Sequence, residues 1–387
     1  MTNYRGITLM SIAAKVYNKI LLNRIRPNLD PLLRKNQAGF RPVRSYAQQI
    51  HILRRIMEGF REHQLPLIAT VVDFKKAFDS INRSVMFSVL RHYGIPETLV
   101  NAIQVLYTNS STSVMVDGSI SKPFIVTTGV LQDDIALLES SISRAQSQLT
   151  RTANAAADLG LVISAPKTEY ITITCCPQPP LEIYGSTINH VQDFKYLGSM
   201  MASRSGDLKR RKGLAWTAFW KLERLWRCPN ISISSKIKLF NTTCVTVLLY
   251  GCESWVLSKA MESEINAFGT SCYRILLNIK RIDRVSNAKI YDLTQTAPLV
   301  ENVRTRQLRF LGHVLRMPDD EPCKEYALYI PPHGKRKPGR QRTLFLRYIQ
   351  HLLGDTDNMI GPGKLSQFAQ DRCGWRKLVV ACSAADR

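Results

Sequence analysis

The apolar run PLIATVVDF, residues 66–74, constrains the fold of this chain more than any other segment. Its length and its β-branched residues are typical of a strand that is buried on both faces. Amphipathic helical patterns stand on both sides of it, over residues 11–60 before the strand and over residues 82–107 after it. The chain is therefore predicted to have an α+β fold, with helices packed around a sheet.

Local signals predict the remaining elements. A helix that ends at a Gly94 C-cap follows the strand, and a hairpin that turns at residues 117–118 follows the next helix. A helix over residues 141–158 precedes two strands, GLVIS and EYITIT, on either side of a turn at residues 165–167. Helical patterns dominate from about residue 200 to residue 316, and one or two short helices close the chain.

The chain carries a large positive charge. Its 53 Lys and Arg residues outnumber its 30 Asp and Glu residues, which gives a formal net charge of +23. A charge of this size favours a polyanion as the partner, because Lys and Arg attract the phosphates of a nucleic acid whatever its base sequence. No apolar run reaches the roughly 18–20 residues of a membrane span, so no membrane partner is predicted.

Two segments concentrate this charge. Residues 204–227 interleave cations with aromatic side chains, and residues 333–347 form a second basic run. The near-helical spacing of the aromatic residues also fits a buried core stripe with a solvated basic face, so both interpretations stay open. The candidate phosphate-binding residues are Lys209, Arg210, Arg211, Lys212, Lys335, Arg336, Lys337 and Arg340.

Cysteine usage favours a reducing compartment. The chain has 9 cysteines, without a CxxC pair or a histidine at zinc-ligand spacing from any of them. We therefore expect free thiols in a reduced, intracellular protein. The stretch GKRKPGRQR is compatible with nuclear import and equally with nucleic-acid contact, so nucleus and cytoplasm both stay open.

Three carboxylates are candidate metal ligands. Asp73 follows the apolar strand, where a buried charge is costly unless a cation or a metal accompanies it. Asp133 and Asp134 are adjacent at the junction of two apolar runs, and both can reach one site only if the chain turns there. Two or three converging carboxylates suit divalent metals that assist phosphoryl transfer. Each Asp taken alone fits an N-cap or a turn residue equally well.

The order of the motifs resembles that of reverse transcriptases from non-LTR (LINE-type) retrotransposons. VVDFKKAFDSINR is similar to the first palm motif of that family, and DDIALLESS is similar to its catalytic double-Asp motif. The other segments that match are NYRGITLMSIAAKVYNKILLNRI and NQAGFRPVRSYAQQIHIL for the fingers, and GVLQ, LGLVISAPKTEY and FKYLGSMM for the palm. Together they run in consistent order from Asn3 to about Met201.

The resemblance implies a right-hand polymerase fold with fingers, palm and thumb, followed by a mostly helical C-terminal region. The fingers would span residues 1–60, and an incomplete palm would span residues 61–200. The helical thumb and C-terminal region would span residues 201–325, and a basic linker with short helices would span residues 326–387.

The resemblance also implies an activity, which is RNA-directed DNA polymerisation by two-metal nucleotidyl transfer. The partners would be an RNA template, a DNA primer and dNTPs, and no protein partner is implied. The cofactor would be Mg²⁺, with Mn²⁺ as an alternative. Asp73 and Asp133 would be the main metal ligands, and Asp134 would be the third carboxylate.

Five further residues would form the nucleotide site by this resemblance. Phe78 would exclude a ribose 2′-OH, and Gln132 would line the nucleotide pocket. Arg5 and Arg41 would contact the triphosphate, and Lys167 would lie near the pyrophosphate leaving group. Without the resemblance, each of these residues fits a core, surface or turn position equally well.

The family pattern breaks between Gln132 and Asp133. In the family, Gly-Asp, a long helix and a strand follow GVLQ before the double Asp is reached, whereas here the two motifs are fused. A deletion, a skipped exon and a gene-model error all fit this junction. A substitute hairpin is conceivable, in which FIVTTGVLQ (residues 124–132) pairs with IALLE. It would not restore the nucleotide pocket, so the chain is predicted to be inactive or nearly so.

The chain begins within the first fingers motif, so we expect a fragment of an element's polyprotein that is truncated at the N-terminus and lacks the endonuclease. Two other interpretations stay open beside the impaired polymerase. One is a non-catalytic, basic RNA/DNA-binding remnant of the element. The other is a product that does not fold stably, because a missing palm helix exposes apolar surface.

Overall fold

A computed structural model describes residues 11–39, 41–75, 81–108, 111–112, 115–116, 119–120, 122, 124–125, 135–174, 179–329, 331, 333–335, 343–354 and 361–384. The helices in these ranges are α1 (Ile12–Leu29), α2 (Tyr46–Glu62), α3 (Arg83–His92), α4 (Glu97–Tyr107), α5 (Ile142–Asp158), α6 (Arg204–Trp220), α7 (Glu223–Arg227), α8 (Ile233–Phe240), α9 (Thr246–Leu248), α10 (Lys259–Leu276), α11 (Asn287–Thr294), α12 (Leu299–Leu315), α13 (Pro322–Ala327), α14 (Phe345–Leu352), α15 (Pro362–Gln370) and α16 (Arg372–Ser383). The strands are β1 (Leu67–Val72), β2 (Ser111–Thr112), β3 (Met115–Val116), β4 (Ser119–Ile120), β5 (Phe124–Ile125), β6 (Ile135–Glu139), β7 (Glu169–Ile173), β8 (Glu182–Ile183), β9 (Ser186–Thr187), β10 (Asn189–His190), β11 (Lys195–Tyr196) and β12 (Ser199–Met200).

Helices α1 and α2 form on either side of a break, as predicted. Helix α1 begins after Ser11, whose hydroxyl accepts a hydrogen bond from the Ala14 amide (3.2 Å). Helix α2 begins after Ser45, and the Gln48 side chain accepts a hydrogen bond from the Ser45 amide (3.2 Å), which completes a capping box. These caps satisfy amides that have no partner within the helix, so they fix where each helix starts.

The predicted glycine ends helix α3. Gly94 adopts a φ of +72°, and its amide donates to the Arg91 carbonyl at 2.9 Å. This left-handed conformation carries little penalty for a residue without a Cβ atom. The predicted C-cap is confirmed.

Strand β1 is the second member from one edge of a four-stranded sheet, in the order β10–β7–β1–β6. Strands β6 and β7 both pair with β1 in the antiparallel sense, whereas β10 pairs with β7 in the parallel sense. Leu67 lies opposite Ile173 of β7, and Val72 lies opposite Ile135 of β6. The chain is thus rich in helix with a small mixed sheet, and the predicted strand over residues 66–74 is confirmed.

The two faces of β1 are covered by different helices. Ile68 and Val72 pack with Leu149 and its neighbours from α5. Leu67 and Ala69 point to the opposite face and pack with the apolar side of α2. Alternation along the strand therefore divides one apolar run between two cores, which explains the absence of a polar row in the sequence.

The segment after α4 pairs with itself. Ser111 lies opposite Ile125, and Val116 lies opposite Ser119, both in the antiparallel sense. This pairing confirms the predicted hairpin. The predicted turn residues 117–118 themselves lie outside the described residues.

The conceivable substitute hairpin does not form at its first two residues. Phe124 and Ile125 pair with Thr112 and Ser111 rather than with β6. These two residues belong instead to the pairing that follows α4. Residues 126–132 lie outside the described part of the chain.

One strand prediction was wrong. The segment GLVIS, residues 160–164, does not form a strand and contributes an isolated bridge between Ile163 and Phe74. Gly160 has a φ of +77°, and the Leu161 amide donates back to the Ala156 carbonyl (2.9 Å) at the end of α5. These two residues therefore end the helix instead of beginning a strand.

Residues beyond about 200 are mainly helical, as predicted, and they enclose the largest apolar cluster among the described residues. Phe219, Phe240 and Trp255 are fully buried in it. The structure ends in α14, α15 and α16, which is more helix than the one or two short helices predicted. No described helix is both long and apolar enough to cross a membrane.

The described cysteines are free thiols. They are Cys228, Cys244, Cys252, Cys272, Cys323, Cys373 and Cys382. Cys244, Cys252, Cys272 and Cys323 are buried. Burial raises the pKa of the Cys323 thiol to about 12, so this side chain stays protonated at neutral pH.

A buried ion pair joins α2 to α6. The Arg54 Nη2 atom lies 2.6 Å from Asp207 Oδ2, and the Asp207 side chain is fully buried. Arg54 also donates to the Ser254 hydroxyl (2.8 Å) and to the Met200 carbonyl (2.8 Å). Asp207 accepts from Trp255 Nε1 (2.9 Å) and from the Met200 amide (3.0 Å). Each charge is therefore surrounded by hydrogen bonds, as a buried pair requires.

A second polar residue of α2 is buried without such partners. His51 is fully buried, and its ring makes edge contacts with Phe310 (5.3 Å between centroids) and Phe345 (4.8 Å). Neither ring nitrogen has a hydrogen-bond partner among the described residues. Burial, together with the charges of Arg55 and Arg54, holds the pKa of His51 well below its usual range, so the ring is neutral.

We expect Asp207→Asn to lower the free energy of unfolding by about 3 kcal/mol, because it leaves the buried Arg54 charge without a counter-charge. Denaturant unfolding at neutral pH measures this loss. Asp292→Asn, an exposed change of the same chemistry on α11, should stay within about 0.5 kcal/mol of the parent. Equal effects of the two substitutions would contradict the role given to the Arg54–Asp207 pair.

We expect His51 to make the fold sensitive to acid. Its folded pKa lies below the unfolded value near 6.5, so its contribution is complete above about pH 6.5 and falls as the pH drops below that value. Once unfolded His51 is protonated, this residue contributes a slope of up to about 1.4 kcal/mol per pH unit. His51→Leu should flatten the stability curve between neutral pH and about pH 5, whereas exposed His351→Leu should leave it unchanged. A slope that survives His51→Leu would assign the acid sensitivity to other groups.

Candidate active site and nucleic-acid interface

Asp73 directly follows β1 and is held there through its backbone. Its amide donates to the Thr168 hydroxyl (3.3 Å), and its carbonyl accepts from the Ser164 amide (2.7 Å). Thr168 is fully buried, whereas Asp73 is half-buried. The predicted position of Asp73 at a strand end is confirmed, and that end is fixed to the loop that precedes β7.

Lys167 belongs to the same loop. Its amide donates to the Ser164 carbonyl (3.1 Å), and Ser164 in turn donates to Asp73. The Asn189 amide group holds the turn from the other side by donating to the Pro166 carbonyl (3.2 Å). The Lys167 side chain is exposed. The structure thus brings Asp73 and the Lys167 turn, two of the predicted site elements, to one end of the sheet.

Strand β6 enters the sheet at this same end. Ile135, its first residue, lies opposite Val72, the last residue of β1. The chain therefore enters β6 beside the point at which it leaves β1 for Asp73. The predicted ligands Asp133 and Asp134 and the predicted pocket residue Gln132 lie outside the described residues.

Two more predicted nucleotide contacts, Arg5 and Phe78, also lie outside the described residues. Arg41 is described, and its guanidinium group is engaged within the protein. It donates to both Asp30 carboxylate oxygens (2.8 and 3.1 Å) and to the carbonyls of Arg34 (2.8 Å) and Gln37 (3.3 Å). The hydrogen bond from Arg41 lowers the pKa of Asp30, so this pair holds the loop between α1 and α2 together.

Arg41 also lies on the wall of an open cavity of about 430 Å³ beside α1. Arg26 and Arg34 line the same cavity, together with apolar residues of α1 and Tyr93. These two arginines were not among the sequence candidates. The cavity shows that more than one guanidinium group of the predicted fingers lies beside Arg41.

The four predicted basic residues of α6 differ in their surroundings. Lys209 is exposed, whereas Lys212 is paired with Glu264 of α10. Arg210 and Arg211 both donate to the Gly198 carbonyl, Arg210 at 2.9 Å. Lys209 is therefore the α6 candidate best exposed to a phosphate, and the other three bind the protein itself.

Arg211 is the clearest structural residue of this group. It is buried, and its guanidinium carbon lies 4.2 Å from the centroid of the Tyr250 ring. Burial is the main cause that lowers the pKa of Arg211. In the second basic run Lys335 is exposed, whereas Arg336, Lys337 and Arg340 lie outside the described residues.

The aromatic residues interleaved with these cations are mostly core. Phe219 and Trp226 are buried and stacked at 5.2 Å between centroids, and Trp216 packs against the same cluster. The core-stripe interpretation is confirmed for these three residues. Trp220 differs, since 47% of it is exposed.

The sequence analysis missed the Arg54–Asp207 pair and His51. Arg54 and Asp207 are 153 residues apart, so no local spacing signals their contact. Among the described residues, no three His, Cys, Asp or Glu side chains are grouped so that they could hold a metal ion.

Comparison with known proteins assigns the N-terminal half of the chain to a protein family. A sequence model of the family described as reverse transcriptase (RNA-dependent DNA polymerase) matches residues 1–201. The retrovirus-related Pol polyprotein of a type-2 retrotransposable element from Drosophila melanogaster is 31% identical over 134 residues, which are 34% of this chain and 12% of that protein. The chain thus spans a small part of the length of that relative.

Other relatives extend further along the chain. A transposon-derived protein of Caenorhabditis elegans is 24% identical over 266 residues, which are 64% of this chain and 92% of that protein. A 115 kDa protein in a type-1 retrotransposable element of Drosophila melanogaster is 28% identical over 233 residues, 51% of this chain and 22% of that protein. The likeness therefore reaches into the helical half of the chain.

We expect Lys209 and Arg211 to separate binding from stability. Arg211→Ala should lower the free energy of unfolding by about 1–2 kcal/mol, because it removes a buried cation–π contact and a hydrogen bond. Lys209→Ala should leave stability within about 0.5 kcal/mol and weaken binding to a labelled RNA. Thermal unfolding and fluorescence anisotropy measure the two effects. A stable Arg211→Ala protein with weakened RNA binding would reverse this assignment.

Proposed function

Because this chain belongs to the reverse transcriptase (RNA-dependent DNA polymerase) family of non-LTR retrotransposons, we propose that it descends from a polymerase domain. On this proposal the chain retains the catalytic carboxylates of the polymerase but has lost its nucleotide pocket. The inherited reaction is RNA-directed DNA synthesis by nucleotidyl transfer, with Asp73, Asp133 and Asp134 as the carboxylates. The chain with the Gln132–Asp133 junction is inactive or nearly so. The fold of this proposal is the right-hand arrangement of fingers, palm and thumb.

The pairing of Val72 with Ile135 carries the first part of the proposal. Paired antiparallel strands lie about 4.8 Å apart, and successive Cα atoms are about 3.8 Å apart. Asp134 is bonded to Ile135 and Asp73 is bonded to Val72, so both carboxylates start from the same end of the sheet. Asp133 is one residue further and can join them if the chain turns there.

The donor set fits a divalent metal by its chemistry. Carboxylate oxygens are the ligands that Mg²⁺ prefers, and Mn²⁺ accepts the same oxygens. The half-buried position of Asp73 at a strand end suits a ligand that must reach an ion from a sheet edge. When bound, two such ions would stabilise the charge on the attacking and leaving oxygens of the phosphoryl transfer.

The remaining nucleotide contacts follow from the family likeness. Lys167 would lie near the pyrophosphate, and its exposed side chain on the loop bonded to Asp73 supports this role. Phe78 would select against a ribose, and Gln132 and Arg5 would contact the incoming nucleotide. Arg41 would act indirectly, because its contacts with Asp30 suit the positioning of a loop better than contact with a triphosphate.

The junction itself carries the second part of the proposal. Gln132 is bonded to Asp133, so no chain remains between them for a helix under the template and nucleotide, or for a strand beside the double Asp. Positioning supplies most of the catalysis of phosphoryl transfer, and a displacement of about 1 Å can cost about 10²-fold in rate. Convergence of the three carboxylates would therefore be insufficient for polymerisation.

A second candidate function is a non-catalytic RNA/DNA-binding remnant. The net charge of +23 and exposed cations such as Lys209 and Lys335 favour it. Its partners would be the same nucleic acids, held without chemistry in the nucleus or the cytoplasm. Binding that falls with salt and is indifferent to Asp73→Asn would support this candidate.

A primer-extension assay on an RNA template with a DNA primer tests the proposal. It compares this chain with a version in which the segment between Gln132 and Asp133 is restored from a related element. We expect extension from the restored chain alone, in Mg²⁺ or Mn²⁺, because only that chain holds the nucleotide in place.

Two variants of the restored chain serve as matched controls. Asp73→Asn should abolish extension, whereas Asp158→Asn, an exposed change at the end of α5, should not affect it. Extension by the unrestored chain would contradict the predicted inactivity. A restored chain that binds template and primer but extends nothing would contradict the role of the carboxylates.

A further inference from the structure

Helices α12 and α16 pack against each other and carry cations on a shared surface, which we name the C-terminal cationic patch. Arg309, His313 and Arg316 follow one another at helical spacing at the end of α12 and just beyond it, and they span about 60° of the helix. Arg372 and Arg376 stand one turn apart at the start of α16. Arg316 is half-buried, and the other four residues are exposed.

No acidic side chain among the described residues forms an ion pair with this patch. Arg316 donates one hydrogen bond, to the Ala369 carbonyl (2.8 Å), which is a backbone group. Asp371 precedes Arg372, but its carboxylate accepts from the Cys373 amide (3.0 Å) as the N-cap of α16. The cations of the patch therefore lack a carboxylate counter-charge within the described part of the chain.

The members of the patch repel one another. Burial lowers the pKa of His313, and the charges of Arg316 and Arg372 lower it further. Burial likewise lowers the pKa of Arg316, and the charges of Arg372 and Arg376 add to this effect. Arg372 also lies in the first turn of α16, where the helix dipole disfavours a cation. A bound polyanion would relieve each of these unfavourable interactions.

We propose that the C-terminal cationic patch, formed by Arg309, His313, Arg316, Arg372 and Arg376 on α12 and α16, binds the phosphate backbone of a nucleic acid.

The extent of the patch favours a backbone over a single phosphate. Arg309 and Arg316 are seven residues apart, which is about 10 Å along the helix axis. One strand of a duplex carries a phosphate about every 3.4 Å along its axis, so this row alone spans about three phosphates. Arg372 and Arg376 form a second row beside the first, which suits contact across a groove or with a folded strand.

The patch is separate from the sheet end that carries Asp73. It lies on the helical half of the chain, beyond residue 300, and none of its members belongs to the candidate polymerase site. The inference rests on the proposed function only for its choice of nucleic acid as the polyanion. A chain without polymerase activity would retain it.

Fluorescence anisotropy of the full chain with a labelled single-stranded RNA and a labelled DNA duplex, over a range of NaCl concentrations, tests the proposal. Arg372→Ala with Arg376→Ala should weaken binding and reduce the slope of log K against log salt by about 1.4 for the RNA or about 1.8 for the duplex. The arm with the larger loss identifies the nucleic acid that the patch binds. Arg316→Gln, which keeps a donor for the Ala369 carbonyl, should reduce the slope by a further step of up to about 1.

Arg281→Ala with Lys289→Ala is the matched control, because it removes two exposed cations from another part of the helical half. The proposal predicts a clearly smaller change of slope for this control than for the patch variant. Equal reductions of the slope in the control and in the patch variant would show that net charge alone governs binding. A patch variant with an unchanged slope would show that the patch does not bind the nucleic acid. Both results overturn the proposal.

Two more measurements separate a loss of phosphate contacts from a loss of fold and from a defect at the polymerase site. Equal thermal unfolding of the patch variant and the parent excludes a loss of fold. The patch variant should change the slope by the same amount in the Asp73→Asn background as in the parent, so a failure of the polymerase assignment does not affect the patch. Weaker binding of the patch variant to anionic lipid vesicles, with nucleic-acid binding unchanged, would overturn the proposal in favour of a membrane surface.

Discussion

Strand β1 is hydrogen-bonded on both edges, to β6 and β7, and covered on both faces, by α5 and α2. Each side chain from Leu67 to Ala69 therefore removes apolar surface from water in one of two cores, at about 25 cal/mol for each Å². This double burial fixes the end of β1 without any contribution from the polar residues beyond it. Asp73 is consequently positioned by apolar packing and by hydrogen bonds of its own backbone, from the Ser164 amide and to the Thr168 hydroxyl.

The central position of helix α2 buries polar groups, and the structure accommodates them in two ways. Arg54 is matched by Asp207 and by hydroxyl and carbonyl acceptors, so its charge is tolerable in the interior. His51 has aromatic neighbours instead, and it is tolerable because the ring is neutral. The contact between the predicted fingers and the helical half thus combines one strong polar link with one group that is sensitive to protonation.

The sequence was most informative where a single residue type or a local period decides the structure. The period of the apolar residues predicted α2, the unbroken apolar run predicted β1, and Gly94 predicted the end of α3, because these signals act within a few residues. The roles of the basic residues were harder to predict from the sequence. Lys212 finds Glu264 on another helix, and Arg41 finds Asp30 across a loop, so their charges serve the fold.

In the candidate site, too, local features were predictable and long-range contacts were not. Asp73 at a strand end follows from local pattern, and the structure bears it out. The partner that brings β6 to it, Val72 opposite Ile135, depends on a register between segments about 60 residues apart. The C-terminal cationic patch likewise could not be predicted from the sequence. Arg316 and Arg372 are remote in sequence and become neighbours only when α12 packs on α16. Long-range packing, which no local pattern encodes, accounts for both omissions.

Formation of the sheet, polymerisation and phosphate binding depend on different interactions, and this determines what the junction at Gln132–Asp133 removes. The pairing of β6 with β1 uses apolar residues after the junction, from Ile135 to Leu138, so the sheet does not require the segment that the family places there. Polymerisation, on the proposed function, requires that segment, because the nucleotide must be held to within about 1 Å. The phosphate binding proposed for α12 and α16 requires neither the segment nor the nucleotide. A chain with this junction is therefore expected to lack polymerase activity while it keeps its sheet and its affinity for nucleic acid.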